Sequence, residues 1–292
     1  SIAGLAADRG FLFAADSGRR LAAIDIRGAT MVPVGGIDLP ASSGKVFVGG
    51  GIAYVGGGAS GGFVTVDVSN PGAMVLLSGV DSTSMAGDAI VATGTGDALT
   101  LGTSTGGPVG GPVLSLADVR DPTRTDSLVA SFRLPSSAHS VAIGSGLAFV
   151  ADGASGLVVA NYRAFDTAGQ RPIVTLAAPG ADIDPATAGI QVPEGATLGL
   201  EVAVQDDRQV ARVELLVDGQ VVISDVSYPW PGSLVLPAIV GTDDTVRVQV
   251  RAVDTGGNVG LSNPLEIHLV RDTVAPTLVA TNAPDGAVRG TA

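Results

Sequence analysis

The chain has 292 residues, including 42 glycines and 17 prolines but no cysteine, so it can form neither disulfides nor thiolate metal sites. Its formal net charge of −12 repels phosphate backbones and anionic lipid surfaces, which argues against nucleic acid as a partner. No apolar stretch approaches the roughly 18 residues that are needed to cross a bilayer.

The composition predicts an all-β protein. Of the 28 acidic residues, 24 are Asp and only 4 are Glu, and Asp favours turns whereas Glu favours helices. Short apolar runs alternate with Gly-rich turns, and no segment keeps a helical period for more than a few turns. The length is sufficient for two domains, each with its own core.

Residues 1–165 contain an internal repeat. Three segments superpose through one strand and the hinge after it, which places Phe13, Tyr54 and Phe149 in register, with the first two 41 positions apart. These segments are FLFAADSGRRLAAIDI (11–26), IAYVGGGASGGFVTVDVSNPG (52–72) and LAFVADGASGLVVANYR (147–163). Four strands in about 40 residues is the size of a β-propeller blade. We therefore predict consecutive four-stranded antiparallel sheets that pack face to face.

A fourth, degraded copy is predicted at AIVATGTG (89–96), with Val91 in the position of the aromatic residue. Its second strand returns as VLSLADVRDPT (113–123), after a glycine-rich insertion. With this copy, about four blades occupy residues 1–165.

The glycine-rich hinge of each repeat, such as DGASG at 152–156, could be a reactive loop or only a turn. It recurs as ADSGRR, GGGASGG and ADGASG, and a catalytic loop is not expected at the same place in successive blades. Residues 58–62 and 102–106 match the GxSxG pattern, but a nucleophile elbow needs a helix after the serine and neither segment has one. The pattern therefore favours turns.

Two of the repeats resemble a known family. AHSVAIGSGLAFVADGASGLVVA and GIAYVGGGASGGFVTVDVSNPG are similar to LVIVD-type repeats, which form β-propeller blades in secreted and surface proteins of bacteria and archaea. The resemblance implies an incomplete propeller, because four blades are fewer than such propellers usually have. We expect the remaining blades to lie upstream of Ser1.

The two histidines of the chain do not form a catalytic or metal-binding set. His139 opens the innermost strand of the fourth unit, so it is a candidate ligand contact at the mouth of the central channel. His268 lies in EIHLV, an edge-type strand, where we expect it to be solvated. No Ser/His/Asp set can be assembled, and two lone histidines do not form a His-rich metal centre. No catalytic residue is predicted.

A second domain is predicted at 166–271, beginning within the polar linker NYRAFDTAGQRP (161–172). Its strands alternate apolar and polar residues, as in Val246, Val248 and Val250, and Asp218 with the next glycine forms a hairpin turn. About seven such strands predict an immunoglobulin-like β-sandwich.

Two segments of this domain resemble bacterial Ig-like domains of secreted and cell-surface proteins. They are VPEGATLGLEVAVQDDRQVARVELLVDGQVV and VRAVDTGGNVG. The resemblance places Trp230, the single tryptophan, in the core. It also makes residues 272–292 the start of a further Ig-like repeat.

One cluster in this domain could bind a cation. If the second and sixth strands end at one pole, Asp206 and Asp207 lie beside Asp254 and Asn258, and Ca²⁺ prefers such oxygen ligands. The alternative is that these residues only form turns, through Asx hydrogen bonds and glycine dihedral angles. Ca²⁺ is the one cofactor that the sequence raises.

These features predict a non-catalytic extracellular module, for binding, adhesion or spacing, within a large secreted or cell-surface protein. Its expected partner is an extracellular protein or a polysaccharide. The alternative is an accessory or substrate-binding part of a secreted propeller-containing enzyme, with the substrate near His139.

Overall fold

A computed structural model describes residues 1–79, 85–104 and 110–273. Nearly all regular structure in these ranges is β, and the helical element among them is the 3₁₀ turn Gly153–Ser155. No helix in the ranges is long and apolar enough to cross a membrane. The predicted start of a further Ig-like repeat at 272–292 falls almost entirely outside the described residues, as does the end of the GxSxG match at 102–106.

The repeat region forms four antiparallel sheets, whose strands follow chain order from the inner edge outwards. The first sheet contains β1 (Ile2–Asp8), β2 (Phe11–Asp16), β3 (Arg20–Asp25) and β4 (Val32–Asp38). The second contains β5 (Val46–Gly49), β6 (Ile52–Gly56), β7 (Phe63–Asp67) and β8 (Val75–Ser78). The third contains β9 (Ala89–Ala92), β10 (Asp97–Ser104), β11 (Gly111–Asp118) and β12 (Leu128–Arg133). The fourth contains β13 (Ser140–Gly144), β14 (Leu147–Ala151) and β15 (Leu157–Ala160).

Consecutive sheets pack face to face, and their inner strands meet in the order β1, β5, β9, β13. We call the face that carries Phe13, Tyr54 and Phe149 the front face, and the opposite one the back face. Phe13 is buried against the back-face residues Ala53 and Val55 of the second sheet. This arrangement confirms the predicted partial propeller.

The third unit is offset from its predicted alignment. Val91 lies in the inner strand β9, opposite Leu99 of β10. Leu99, three positions after the turn glycine Gly96, takes the place of Tyr54, three positions after Gly51. The supposed insertion thus contains a complete strand, DALTLGTS, whose glycine and threonine content hid it.

The prediction of four strands holds for three sheets but is wrong for the fourth, where the described residues form three. After β15 the chain leaves the sheet, because Tyr162 is buried in the core between the third and fourth sheets. Arg163 then forms two hydrogen bonds with the buried Asp97, at 2.9 and 2.7 Å. The segment predicted as a polar linker is therefore held against the third sheet.

The second domain contains ten strands in three sheets. The largest sheet has the order β17-β25-β23-β20-β21, with β24 paired to β23, and two strand pairs, β16-β19 and β18-β22, complete the domain. The strands are β16 (Ile173–Ala177), β17 (Ile190–Pro193), β18 (Thr197–Gly199), β19 (Glu201–Gln205), β20 (Val210–Val217), β21 (Gln220–Asp225), β22 (Ser233–Val235), β23 (Thr245–Asp254), β24 (Val259–Leu261) and β25 (Leu265–Val270).

The core of this domain follows the predicted alternation, with Val246, Val248 and Val250 all buried. Trp230 belongs to the same core, as expected. Asp218 has a φ of 49°, as the predicted hairpin turn requires. The prediction for His268 is wrong: β25 is paired on both sides, by β17 and β23, so its strand is not an edge and the side chain is half-buried.

The second domain sits on one end of the four sheets, which we call the docking pole. This end is formed by the turns between the first and second strands of each sheet. Tyr228 enters between two of them, and a Cβ on either Gly49 or Gly94 would overlap its side chain. The N–H of Ser145 donates to the carbonyl of Val226 at 2.8 Å, which extends the contact to the fourth sheet.

We predict that Gly49→Ala destabilises the protein by about 1–3 kcal/mol, the usual cost of overpacking. The three atoms nearest to the added methyl all belong to Tyr228, so the cost should nearly vanish in a Tyr228→Ala background. Denaturant unfolding of the four proteins of this double-mutant cycle measures the coupling.

Gly199→Ala is the matched control, because a Cβ there has no atom within 4 Å. Equal costs of Gly49→Ala with and without the tyrosine would contradict the proposed close contact.

Candidate functional site

The docking pole contains two cavities that Tyr228 separates. The first, of about 670 Å³, is lined by the propeller residues Tyr54 and Gly94 and by Arg171 and Asp207 from the other side. The second, of about 940 Å³, lies beside Trp230. Cavities of this size between domains are common places for small ligands. We call the first cavity the interdomain cleft.

Asp206 gives the cleft an unusual acidic group. Its Oδ2 accepts a hydrogen bond from the N–H of Arg208 at 3.1 Å, whereas its buried Oδ1 has no hydrogen-bond partner in the described part of the chain. Burial is the largest cause that raises the pKa of Asp206, and together with the negative charges of Asp254, Asp207 and Asp166 it brings the pKa to about 6, against the lowering effect of the hydrogen bond from Arg208. The carboxylates meet at one pole, as the strand directions predicted.

The predicted calcium ligands already have protein partners. Asp254 is buried, and its two carboxylate oxygens accept hydrogen bonds from the N–H and the side-chain amide of Asn258, both at 2.8 Å. The same amide donates to Asp166 at 2.7 Å. Over residues 1–79, 85–104 and 110–273, no three His, Cys, Asp or Glu side chains are grouped to hold a metal ion. Calcium binding by Asp206, Asp207, Asp254 and Asn258 stays a prediction.

The opposite end of the sheets, the free pole, carries a second polar set. Lys45, Asp88 and His139 each immediately precede an inner strand, and all three are exposed. The N–H of Lys45 donates to the carbonyl of Asp88 at 2.9 Å, which holds two of the strand starts together. None of the three side chains has a hydrogen bond or ion pair within the described ranges. We call them the channel-mouth set.

The hinges also lie at the free pole and act as turns. In the second sheet, the N–H of Gly58 donates to Gly87 and that of Gly62 to Met85, which ties the hinge to the next sheet. In the fourth sheet, the buried Asp152 accepts a hydrogen bond from the N–H of Ser136 at 3.0 Å. No helix follows the hinge at 58–62, so its serine is not placed as a nucleophile.

The predicted site residues therefore divide between two ends of the molecule. His139 lies at the free pole, whereas Asp206 and Asp207 line the interdomain cleft. The sequence analysis did not predict that Lys45 and Asp88 lie at the same pole as His139. The signal was their shared position one residue before an inner strand, which becomes visible only when the strand bounds of each repeat are known.

Comparison with family models identifies two kinds of domain along the chain. The LVIVD repeat matches residues 41–82 and 135–160, and the Bacterial Ig domain matches residues 172–250. The chain thus carries LVIVD repeats followed by a bacterial Ig domain, as the resemblances implied. Both kinds of domain are typically non-catalytic. No curated protein matches the chain in sequence.

Several solved structures match parts of the chain with TM-scores below 0.5. The computationally designed Ika4 protein is 11% identical, with a TM-score of 0.41, over 55% of this chain and 90% of its own. The fibronectin(III)-like modules of Clostridium thermocellum CbhA are 25% identical, with a TM-score of 0.24, over 34% of this chain and 98% of theirs. A functionally unknown protein from Desulfotomaculum acetoxidans is 13% identical, with a TM-score of 0.36, over 87% of this chain and 79% of its own.

We predict that millimolar Ca²⁺ raises the melting temperature by several degrees relative to EDTA. A dissociation constant near 10⁻⁴ M, typical of extracellular modules, gives a stabilisation of about 1.4 kcal/mol at 1 mM Ca²⁺. The melts are run at pH 7.5, above the raised pKa of Asp206, so that this carboxylate is ionised. Asp206→Asn should remove the shift.

Asp225→Asn, in β21, is the control and should leave the shift intact. Identical melts of the unmodified protein in calcium and in EDTA would assign Asp206, Asp207 and Asp254 to turns alone.

Proposed function

We propose that this protein is a non-catalytic extracellular module that binds a polysaccharide in the interdomain cleft. The observation that carries the proposal is the cleft itself, a concave site between two domains that offers no nucleophile with a base. Within a secreted or cell-surface protein, such a module serves adhesion or spacing.

The chemistry of the cleft suits a sugar chain. Tyr54 and Tyr228 form part of the apolar wall of the cleft, against which the C–H groups of a sugar ring can lie. Gln170 and Arg171 supply amide and guanidinium donors, and Asp207 accepts hydrogen bonds from hydroxyl groups. An acidic chain carries a net charge that disfavours polyanions, so the fitting ligand is a neutral polysaccharide.

The channel-mouth set supports a second candidate function. In an accessory or substrate-binding part of a secreted propeller-containing enzyme, the substrate would lie at the free pole. Lys45, Asp88 and His139 favour this, since each is exposed with a side chain available for hydrogen bonds to a ligand.

We predict that Gln170→Ala and Arg171→Ala each weaken binding of a neutral polysaccharide by about tenfold, because each removes a polar contact worth roughly 1–1.5 kcal/mol. Both residues are exposed, so their replacement should preserve the fold. Isothermal titration calorimetry with a panel of soluble neutral and acidic polysaccharides measures the effect.

Lys45→Ala and His139→Ala serve as controls at the free pole and should bind as the unmodified protein does. The reverse pattern, with binding lost only in the channel-mouth variants, would contradict the cleft and favour the second candidate.

We also predict that the protein hydrolyses neither esters nor glycosides. In the described residues no serine stands at the strand-to-helix turn that exposes a nucleophile, because the described hinges end in turns rather than helices. Chromogenic ester and glycoside substrates test this point. Turnover that disappears in His139→Ala would show a catalytic site at the free pole.

A further inference from the structure

One strand of the second domain runs along both cavities at the docking pole. Residues 199–203 line the second cavity and residues 203–207 line the interdomain cleft, so the lining passes from one to the other without a gap. The two cavities also share Gly50 and Tyr228, which mark the place where they adjoin. An extended chain advances roughly 3.3 Å per residue, so residues 199–207 give the two cavities a common wall about 26 Å long.

This wall is the face of a sheet rather than its edge. Glu201, Ala203 and Gln205 alternate along β19, whereas Val202 and Val204 between them pack on the core of the second domain. The first three are exposed, and directly opposite them on β16 lie Ala177, Thr175 and Ile173. All six of these residues line one cavity or the other. The two strands therefore form a continuous floor under both cavities.

The wall opposite this floor repeats from sheet to sheet. Arg27, Ser69 and Arg120 occupy equivalent positions in the first, second and third sheets, in the turn after the third strand. In each case the backbone N–H donates to the carboxylate of an aspartate two residues earlier, at 2.9 or 3.0 Å. Arg27 and Ser69 line the second cavity, and Arg120 lines the interdomain cleft. Three successive sheets thus present equivalent polar side chains along the cavities, which suits a ligand that is itself a repeating chain.

Arg9 supplies a hydrogen-bond donor in the second cavity. It lies in the turn between β1 and β2 with a φ of 45°, a left-handed conformation that is unfavourable for arginine and that the second sheet gives to Gly50. Backbone strain of this kind concentrates at binding sites. The Nε of Arg9 donates to Asp8 at 3.0 Å, whereas its two Nη groups have no partner in the described part of the chain. They are therefore available to donate to the hydroxyl oxygens of a ligand.

We propose that the two cavities form one groove, which binds several consecutive sugars of a straight, neutral polysaccharide of the cellulose type. This inference rests on the proposed function and adds the shape and length of the ligand. A floor of extended strands fits the straight chain of cello-oligosaccharides better than the coiled chain of malto-oligosaccharides. A peptide that added a strand would need a free sheet edge, whereas the floor is a sheet face.

Isothermal titration calorimetry with cellobiose and cellohexaose measures how affinity depends on chain length. Cellohexaose should bind at least about tenfold more tightly than cellobiose, because only the longer chain reaches both cavities. Arg9→Gly and Glu201→Ala, both in the second cavity, should each weaken cellohexaose binding about fivefold and leave cellobiose binding in the cleft unchanged. Arg171→Ala, in the interdomain cleft, should weaken binding of both sugars.

Both second-cavity variants should fold, because glycine accepts the left-handed φ of residue 9 and Glu201 is exposed, and thermal melts verify this point. Glu266→Ala is the matched control for Glu201→Ala. Glu266 is an exposed residue of β25 that lines neither cavity, so its replacement should leave cellohexaose binding unchanged.

The outcomes separate the groove from the cleft alone. Equal affinities for cellobiose and cellohexaose would overturn the groove, as would second-cavity variants that bind cellohexaose normally while Arg171→Ala binds it weakly. Maltohexaose that binds as tightly as cellohexaose, or a different neutral polysaccharide that binds where cellohexaose does not, would overturn the straight chain. In these cases the cleft site stands. If no neutral polysaccharide binds at all, the proposed function fails and the groove fails with it.

Discussion

Packing of a bulky front face on a small back face is the interaction on which the repeat region depends. A strand shows one side chain to each face in turn, so each sheet presents residues such as Phe13 to one neighbour and alanines and valines to the other. The interior is close-packed, and large residues must therefore meet small ones. The direction of the row of sheets, the position of the inner strands and the separation of the two poles follow from this pairing.

Residue pattern predicted most of the fold, because alternation and turn chemistry are local. The repeats at Phe13, Tyr54 and Phe149, the hairpin at Asp218 and the buried Trp230 were all predicted and observed. The third unit was misaligned because its second strand is rich in threonine and glycine. The missing outer strand of the fourth sheet depends on buried contacts made by the segment after β15, which sequence spacing does not reveal.

The candidate site was less predictable, because it forms between domains. Strand direction correctly brought Asp206 towards Asp254, but their neighbour Asp166 comes from a segment interpreted as a linker. The cleft itself depends on Tyr228, which enters the propeller surface between Gly49 and Gly94. A local sequence pattern cannot predict this contact, because the glycines lie more than one hundred residues before the tyrosine in the chain.

The attachment of the segment after β15 determines how the molecule carries mechanical load. A pull on the second domain does not act first on the three-stranded fourth sheet, because Arg163 is fastened to Asp97 of the third. The force is shared between sheets, and the paired hydrogen bonds must break before β15 can peel from its neighbour. The Arg163–Asp97 pair therefore protects β15 from being the first strand to detach when the second domain is pulled.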